Sequence, residues 1–485
     1  MTSAKTIGIH IFHRDLRVSD NTALYELVST CDYIIPVFIF DPIQIDPRNN
    51  PYFSSNCVQF MVETLEDLVR TLQREYKCNT PLIYRGHPTS VLSNLLKVIP
   101  VTHSVTHLSM NMDYTPFARK RDRDIIDWCE THHIETIVRE DITLLPIGSV
   151  RTASSNDVFK VFTPFFRAAS KRAVREPSPE LSSAHRTKFY LPASLSSRLN
   201  KHKDALSWKD AHGLYTPNPD IAVRGGRTNG LRILSDIVQH KNYNRNRDTP
   251  SIPSTMLSAH NKFGTISIRE LHQVIIKKLG KSNHLYTQLF WRDFYYNIAY
   301  AFPHVFGHAF RPKYDGIHWE NNTEKFRAWK EGRTGVPIID AGMRQLNTTG
   351  FMHNRLRMMV SMYLVKDLHI DWQWGERYFA TKLVDYDPAQ NNGGWQWSAS
   401  TGTDSQPYFR IFNPYTMTGR VDSDGTYIYK WIPELRAVNP RDFAKWDNPR
   451  VRERYDLISI GYPSQPIVDH DVERKKTLEL FRKIK

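Results

Sequence analysis

Asp385-Tyr386-Asp387-Pro388-Ala389-Gln390-Asn391-Asn392-Gly393-Gly394-Trp395-Gln396-Trp397 brings carboxylates, amides, a glycine pair and two indoles into thirteen residues. A helix that only fills a core does not carry that mixture, because buried polar groups at this density need partners. Gly393-Gly394 removes two side chains where something flat could approach the backbone closely. The plain alternative is a polar surface loop, which would leave two large indoles idle in water. The stretch reads instead as the wall of a cofactor pocket edged by aromatic rings.

Outward from it, the chain divides in two. Its 485 residues suffice for two or three domains with well-buried cores, and 40% apolar with 24% charged residues is the composition of a soluble globular protein. Residues 1–200 hold 23 basic and 21 acidic side chains, a balance of +2; residues 201–485 hold 42 and 29, a balance of +13. Of 11 tryptophans, only Trp128 precedes residue 200. Basic charge attracts phosphate backbones and aromatic faces stack on exposed bases, so their coincidence points to nucleic acid; basic charge alone would fit solubility equally well.

The near-neutral part alternates strand-like runs (Ile7–Phe12, Ile34–Phe40, Pro81–Tyr84, Thr106–Met110, Ile134–Val138) with helical ones such as Val58–Tyr76. That alternation predicts a doubly wound, Rossmann-like α/β domain with a parallel sheet over residues 1–150. Residues 151–207 are rich in Ser, Arg, Lys and Pro and read as a long connector wrapping the surface. From 208 to 485 helical spacing dominates, over 230–239, 268–279, 286–301, 338–346, 355–364 and 374–384, which predicts an all-α domain. Cys31, Cys57, Cys78 and Cys129 show no Cys-x-x-Cys pairing, so neither a zinc site nor a disulfide frame is expected. The opening MTSAKTIGIHIFHRDLR is too short and too alternating in its apolar run for a secretion signal, and no 18-residue apolar run suggests a membrane span.

Three further segments carry candidate chemistry. Tyr243-Asn244-Arg245-Asn246-Arg247-Asp248 precedes Ser254-Thr255-Met256-Leu257-Ser258, hydroxyl residues beside a helix start that suit a phosphate, or an ordinary cap. Gln288, Trp291, Arg292 and Tyr295 share one helix face, able to hydrogen-bond and stack on a base, or simply an interior aromatic stripe with a snorkelling Arg. Asn354, Arg357 and Met358 share another face.

Residues 385–397, the following Ser398 to Pro414 (SASTGTDSQPYFRIFNP) and the early HRDLRVSDNTAL closely resemble the photolyase/cryptochrome family, in particular its flavin-dependent class I cyclobutane pyrimidine dimer enzymes of bacterial and fungal type. The resemblance runs from about Ile7 to the C-terminus. It implies a carbon–carbon lyase that uses light and FAD to split pyrimidine dimers in UV-damaged DNA. It implies Tyr243, Ser254, Thr255, Leu257, Ser258, Arg357, Asp385, Asp387 and Asn391 as FAD contacts, with Arg357 paired to Asp385 and Asn391 near flavin N5. Trp291 and Trp397 would clamp the flipped dimer, with Gln288, Arg292, Asn354 and Met358 around it; Arg247, Arg355 and Arg410 would meet DNA. Trp395, Trp372 and Trp319 match an electron relay, although packed core indoles would give the same spacing.

Two departures bear on substrate. Gln288 stands where such enzymes carry Glu, as in (6-4) photolyases; it keeps an acceptor, adds donors and loses the charge. Asn354 and Met358 stand where (6-4) enzymes carry histidines, which favours cyclobutane dimers. Thr115, Phe306 and Gly307 stand where folate-using relatives carry the Glu and the Cys-Lys pair that help hold a folate antenna, so those contacts are not retained and a second chromophore would be a deazaflavin, another flavin or absent. The rivals are a (6-4) photolyase and a cryptochrome photoreceptor, which often carries a long tail; this chain ends at Lys485 without one. A monomer without a resident metal, membrane contact or protein partner, intracellular (cytoplasmic or nuclear) and not secreted, is expected.

Overall fold

The expected alternation resolves into one sheet. In this computed structural model, which describes residues 5–405 and 407–484, β1 (Lys5–Ile11), β2 (Tyr33–Phe40), β3 (Ile83–Arg85), β4 (His103–Asn111) and β5 (Glu135–Arg139) are all parallel, in the order β3-β2-β1-β4-β5. Met1 and Lys485, the outer bounds of the two expected domains, and Gln406 within the 398–414 motif lie outside the described residues. Helices pack on both faces, so both faces read as apolar: Ile7, Ile9 and Ile11 enter one core, Phe12, Ile34 and Phe38 the other.

Pro36 sits inside β2, where a missing N–H would break a central ladder. The backbone avoids the cost. The β2 edge away from β1 takes a bond from Ile34 N–H to Lys188 O (2.9 Å) and another from Phe38 N–H to Leu82 O (2.7 Å), and Pro36 falls between them, before β3 pairing begins at Phe38.

Residues 151–207 run largely over the surface, but they are not without structure: they form helices Phe162–Ala169, Ser183–Thr187 and Ala193–Asn200. Phe162, Phe165 and Ala169 are buried under the helix His284–Ala301, while Leu191, Leu195 and Leu199 are buried against the sheet. Each apolar stripe is only two turns long, too short for periodicity to register among the polar residues around it.

Past residue 207 the expected helices are present as Arg227–Ser235, Ile268–Leu279, His284–Ala301, Pro337–Thr349, Asn354–Lys366 and Trp372–Lys382, and Pro388–Ala399 is a further helix that the spacing did not predict. The first is shorter than expected, giving way to a 3-10 turn at Ile237–His240. Buried charges join this part to the sheet: Arg17 and Arg269 share Asp141, and Arg269 also holds Asp20. The four cysteines are free, and no helix among the described residues is long and apolar enough to cross a membrane.

Candidate active site

The thirteen-residue stretch is a helix start. Asp387 accepts from the backbone N–H of Ala389 (3.0 Å) and Gln390 (3.3 Å), and Pro388 takes the first helical position. The other Asp387 oxygen takes the Arg14 guanidinium and the Tyr296 hydroxyl. Burial alone would raise this carboxyl; Arg14 and Tyr296 instead hold it below the usual carboxylate range. Asp387 borders the cavity described below, but both its oxygens are engaged by protein.

The amides divide by direction. Asn392 Nδ2 donates to Val305 O (2.8 Å) and Glu376 Oε1 (3.0 Å); Gln396 Nε2 donates to Val305 O and His308 O, and its Oε1 accepts from Phe310 N–H (2.7 Å). These two staple the helix to the 305–310 loop. Asn391 faces the opposite way, into a cavity, with its Nδ2 on Glu376 O at 3.0 Å. The glycines divide too. A Cβ on Gly393 would come within 2.2 Å of the Tyr295 ring, whereas one on Gly394 would meet nothing within 4 Å and would stand in the cavity. Glu376, buried beneath Asn391, has its carboxyl pushed up to about 7 by desolvation despite the Asn392 amide.

That cavity holds about 380 Å³. Arg247, Gln288, Trp291, Arg292, Asn354, Arg357, Met358, Asp385, Asp387, Asn391, Trp395 and Trp397 all border it. The helix-face arithmetic therefore holds: Gln288, Trp291, Arg292 and Tyr295 reach one wall together, and Asn354, Arg357 and Met358 another. Arg357 Nη2 lies 2.9 and 3.1 Å from the two oxygens of buried Asp385, and its Nε donates to Met352 O at 2.8 Å. Arg292 is turned differently from expectation. Its nitrogens donate to Ile142 O (2.5 Å) and Asn261 O (3.2 Å), and its charge lies 4.8 Å from the Tyr296 ring centroid, so the guanidinium braces the wall instead of reaching out toward a phosphate.

Of the other candidates, all but Trp395 lie outside the set of residues that border this cavity. Arg355 is paired with Asp248 at 2.5 Å, and Arg410 is exposed on the 407–412 loop. Tyr243, half-buried, packs with the aromatic cluster that includes Trp291. Ser258 opens the helix Ser258–Phe263; Thr255 Oγ1 accepts from Leu257 N–H at 3.4 Å, and the Ser254 hydroxyl points to the Met256 sulfur. Trp395 lies edge-on to Phe379 (5.0 Å) and Trp329 (6.1 Å); Trp372 is buried at the start of its helix, and Trp319 is half-buried with an edge toward Phe481. Sequence reasoning missed Arg14, Tyr296, Glu376, Ser361 and Ser398. Arg14 lies within the quoted HRDLR motif, but its partner is 373 residues away, beyond any local spacing.

A second cavity, about 500 Å³, opens at the carboxyl ends of β1, β2 and β4, the usual ligand crevice of such sheets. Phe12, Phe40, Phe53, Phe117, Phe263 and Tyr386 give it flat apolar walls, with Arg14, Lys262 and Asp113 among them. Thr115, Phe306 and Gly307 border it as well. Arg14 and Asp387 stand between the two cavities, each bordering one and bonded to the other.

The open Gly394 face, the Arg357–Asp385 pair and the fixed Asn391 amide fit a flat, hydrogen-bonding ring system such as flavin. Comparison with known proteins agrees. Residues 8–183 match the family described as DNA photolyase, and residues 285–483 match the FAD binding domain of DNA photolyase. A deoxyribodipyrimidine photo-lyase of Vibrio cholerae is 34% identical over 98% of this chain and 99% of its own. That of Escherichia coli is 35% identical over 97% of each. A crystal structure of an archaeal photolyase from Sulfolobus tokodaii, described with two FAD molecules and a novel light-harvesting cofactor, superposes with a TM-score of 0.82 at 38% identity, covering 99% of this chain and 100% of that one.

Proposed function

This chain belongs to the DNA photolyase family, and from that premise we propose that it is a deoxyribodipyrimidine photo-lyase that splits cyclobutane pyrimidine dimers in DNA. The observation that carries the reading is that one cavity is bordered both by the two indoles suited to stack on a flipped lesion, Trp291 and Trp397, and by the groups suited to a flavin, Arg357–Asp385 and Asn391. FAD, when bound, supplies light absorption and the single electron that the dimer accepts and returns, so no net redox change accompanies bond cleavage.

The chain's own residues bind and orient. Arg357 holds Asp385 in place at the cavity wall, where a carboxylate would accept hydrogen bonds from a ring N–H. Asn391 presents its amide at the flavin edge, while Tyr243, Ser254, Thr255, Leu257 and Ser258 would hold the diphosphate. Taking a dimer out of the duplex costs less than flipping an intact base, because its pairing is already impaired. Gln288, Asn354 and Met358 would then face it, and Arg247, Arg355 and Arg410 would meet the backbone. Trp395, Trp372 and Trp319 remain our candidates for electron delivery from the surface. Residues 1–150 would serve as the antenna-type domain, 151–207 as the connector and 208–485 as the FAD- and lesion-binding domain of an intracellular monomer.

Among the described residues no histidine borders the cavity. His353, the nearest in sequence, caps its helix by accepting from Arg355 N–H, and burial lowers it to about 4. This supports cyclobutane dimers over (6-4) lesions, which need a proton donor. Gln288 is the one feature favouring the rival, and an assay on a pure (6-4) lesion decides it. For the 500 Å³ cavity we propose a second flat chromophore of flavin type: two flavins per chain on extraction support it, and one flavin with no second pigment rules it out. The primary test is dimer content of damaged DNA incubated with reduced protein in light and in dark. Equal dimer levels in both would remove the enzymatic reading.

A further inference from the structure

Phe162 belongs to the 151–207 connector, which the repair reading leaves without a role. Its ring lies flat on Trp291, centroids 3.7 Å apart and planes 8° from parallel, the closest ring pair among the described residues. The pair is wedged in place: Phe162 meets Phe294 edge-on at 5.9 Å, and so does Trp291. Phe162 is 6% exposed and does not border the 380 Å³ cavity, whereas Trp291 does. The indole therefore stands between a fixed ring and the open space, one face sealed by Phe162.

The backbone at the same point reaches the other indole's helix. Asp404 N–H donates to Lys160 O, two residues before Phe162, at 3.1 Å. Asp404 follows the Pro388–Ala399 helix that carries Trp397, in a turn with φ +47°. One short segment thus holds the Trp291 ring by stacking and is tied by a backbone hydrogen bond to the turn that follows the Trp397 helix.

We infer that Phe162, on a segment tied by its backbone to the turn after the Trp397 helix, sets the plane of Trp291 and its separation from Trp397, and so the width of the slot that a stacked pyrimidine dimer must fill. Phe162 is a positioning residue, acting through Trp291. The inference rests on the dimer-repair reading. Stacking is strong only at the right spacing and tilt, so a loosened Trp291 costs recognition of the lesion and not affinity for the backbone.

The test uses flavin-loaded protein, Phe162→Ala, Phe162→Tyr and Phe162→Leu, with dark binding to duplexes with and without one thymine dimer, flavin content and melting. F162A is expected to lower the preference for dimer-containing DNA about tenfold, within the range that one base–aromatic stack supplies, with affinity for undamaged DNA and flavin content unchanged. F162Y, which keeps the flat ring, is expected to restore the preference. F162A that melts lower but keeps its preference within about twofold overturns the inference, as does equal loss on both DNAs. Should F162A fail to hold flavin, F162L, which keeps apolar bulk without a flat ring, decides: a preserved preference there also overturns it. A wild-type protein without preference for the dimer would instead sink the repair reading itself.

Discussion

Arg269→Met tests what fastens the sheet to the helical part. Arg269 is 2% exposed and makes four hydrogen bonds across the junction: Nε to Asp20 Oδ2 (2.8 Å), Nη1 to Asp141 O (3.0 Å), and Nη2 to Asp20 O (3.0 Å) and Asp141 Oδ1 (2.6 Å). Arg17 closes on the second Asp141 oxygen at 2.5 Å, and the Ser267 hydroxyl donates to Asp20. Methionine keeps the stem and removes the charge, leaving two buried carboxylates with one buried guanidinium between them. Removing one partner of a buried pair costs about 3–5 kcal/mol, because the other charge stays desolvated. For a chain of 485 residues, unfolding entropy near 2.1 cal/mol/K per residue sums to about 1 kcal/mol/K, so the midpoint should fall by about 3–5 °C if the whole chain melts together.

The pH dependence of that loss carries a sign. Burial would raise the Asp141 carboxyl, but Arg17 and Arg269 hold it well below the usual carboxylate range. A depressed folded value contributes stability that is present above the unfolded value, near 4, and is lost as pH falls through the folded one. R269M removes one of the two cations and brings the folded value back toward the unfolded one. The gap between wild type and variant should therefore be widest at neutral pH and narrow on acidification. Melting followed by far-UV circular dichroism from about pH 3 to 8 reads both effects. A midpoint shift under about 1 °C at neutral pH, or a gap that does not change with pH, would refute the reasoning.

Gly393→Ala places a methyl 2.2 Å from the Tyr295 ring and should destabilise by about 1–3 kcal/mol in urea titration. Gly394→Leu meets open space; it should hold or improve the urea midpoint, by up to about 1 kcal/mol, while flavin per chain falls. Arg247→Ala should weaken binding of damaged and undamaged DNA alike and reduce the slope of log affinity against log salt by about 0.9. Glu376 has its carboxyl raised to about 7 by burial, so the folded state favours the protonated form, and the stability it contributes at low pH is lost as pH rises through that value. Glu376→Gln should consequently match wild type near pH 4 and exceed it near pH 8, by on the order of 3 kcal/mol at 1.36 kcal/mol per unit; equal stability at both pH values would count against a buried neutral acid.

Periodicity reports which face a side chain shares, and that much of the site was legible. Gln288, Trp291, Arg292 and Tyr295 were placed on one face by their spacing, and all four border one cavity. Periodicity does not report what a side chain finds on arrival. Arg292 is bonded by carbonyls at Ile142 and Asn261, 150 and 31 residues away, and Asp387 by Arg14 at a separation of 373. These partners come from other layers of the fold, so no window on the sequence contains them. The connector was opaque for a related reason: Phe162, Phe165 and Ala169 make a stripe whose apolar character is evident only against the helix it covers. The strands of the sheet were legible because each is specified locally, by β-branched and aromatic runs that suit no other element. A cavity between two parts of a chain has the opposite character. Its walls are local but its floor is not, and Asp387 shows the consequence: one carboxylate caps a helix, binds a guanidinium from the sheet and borders the site, three demands of which only the first is written beside it in the sequence.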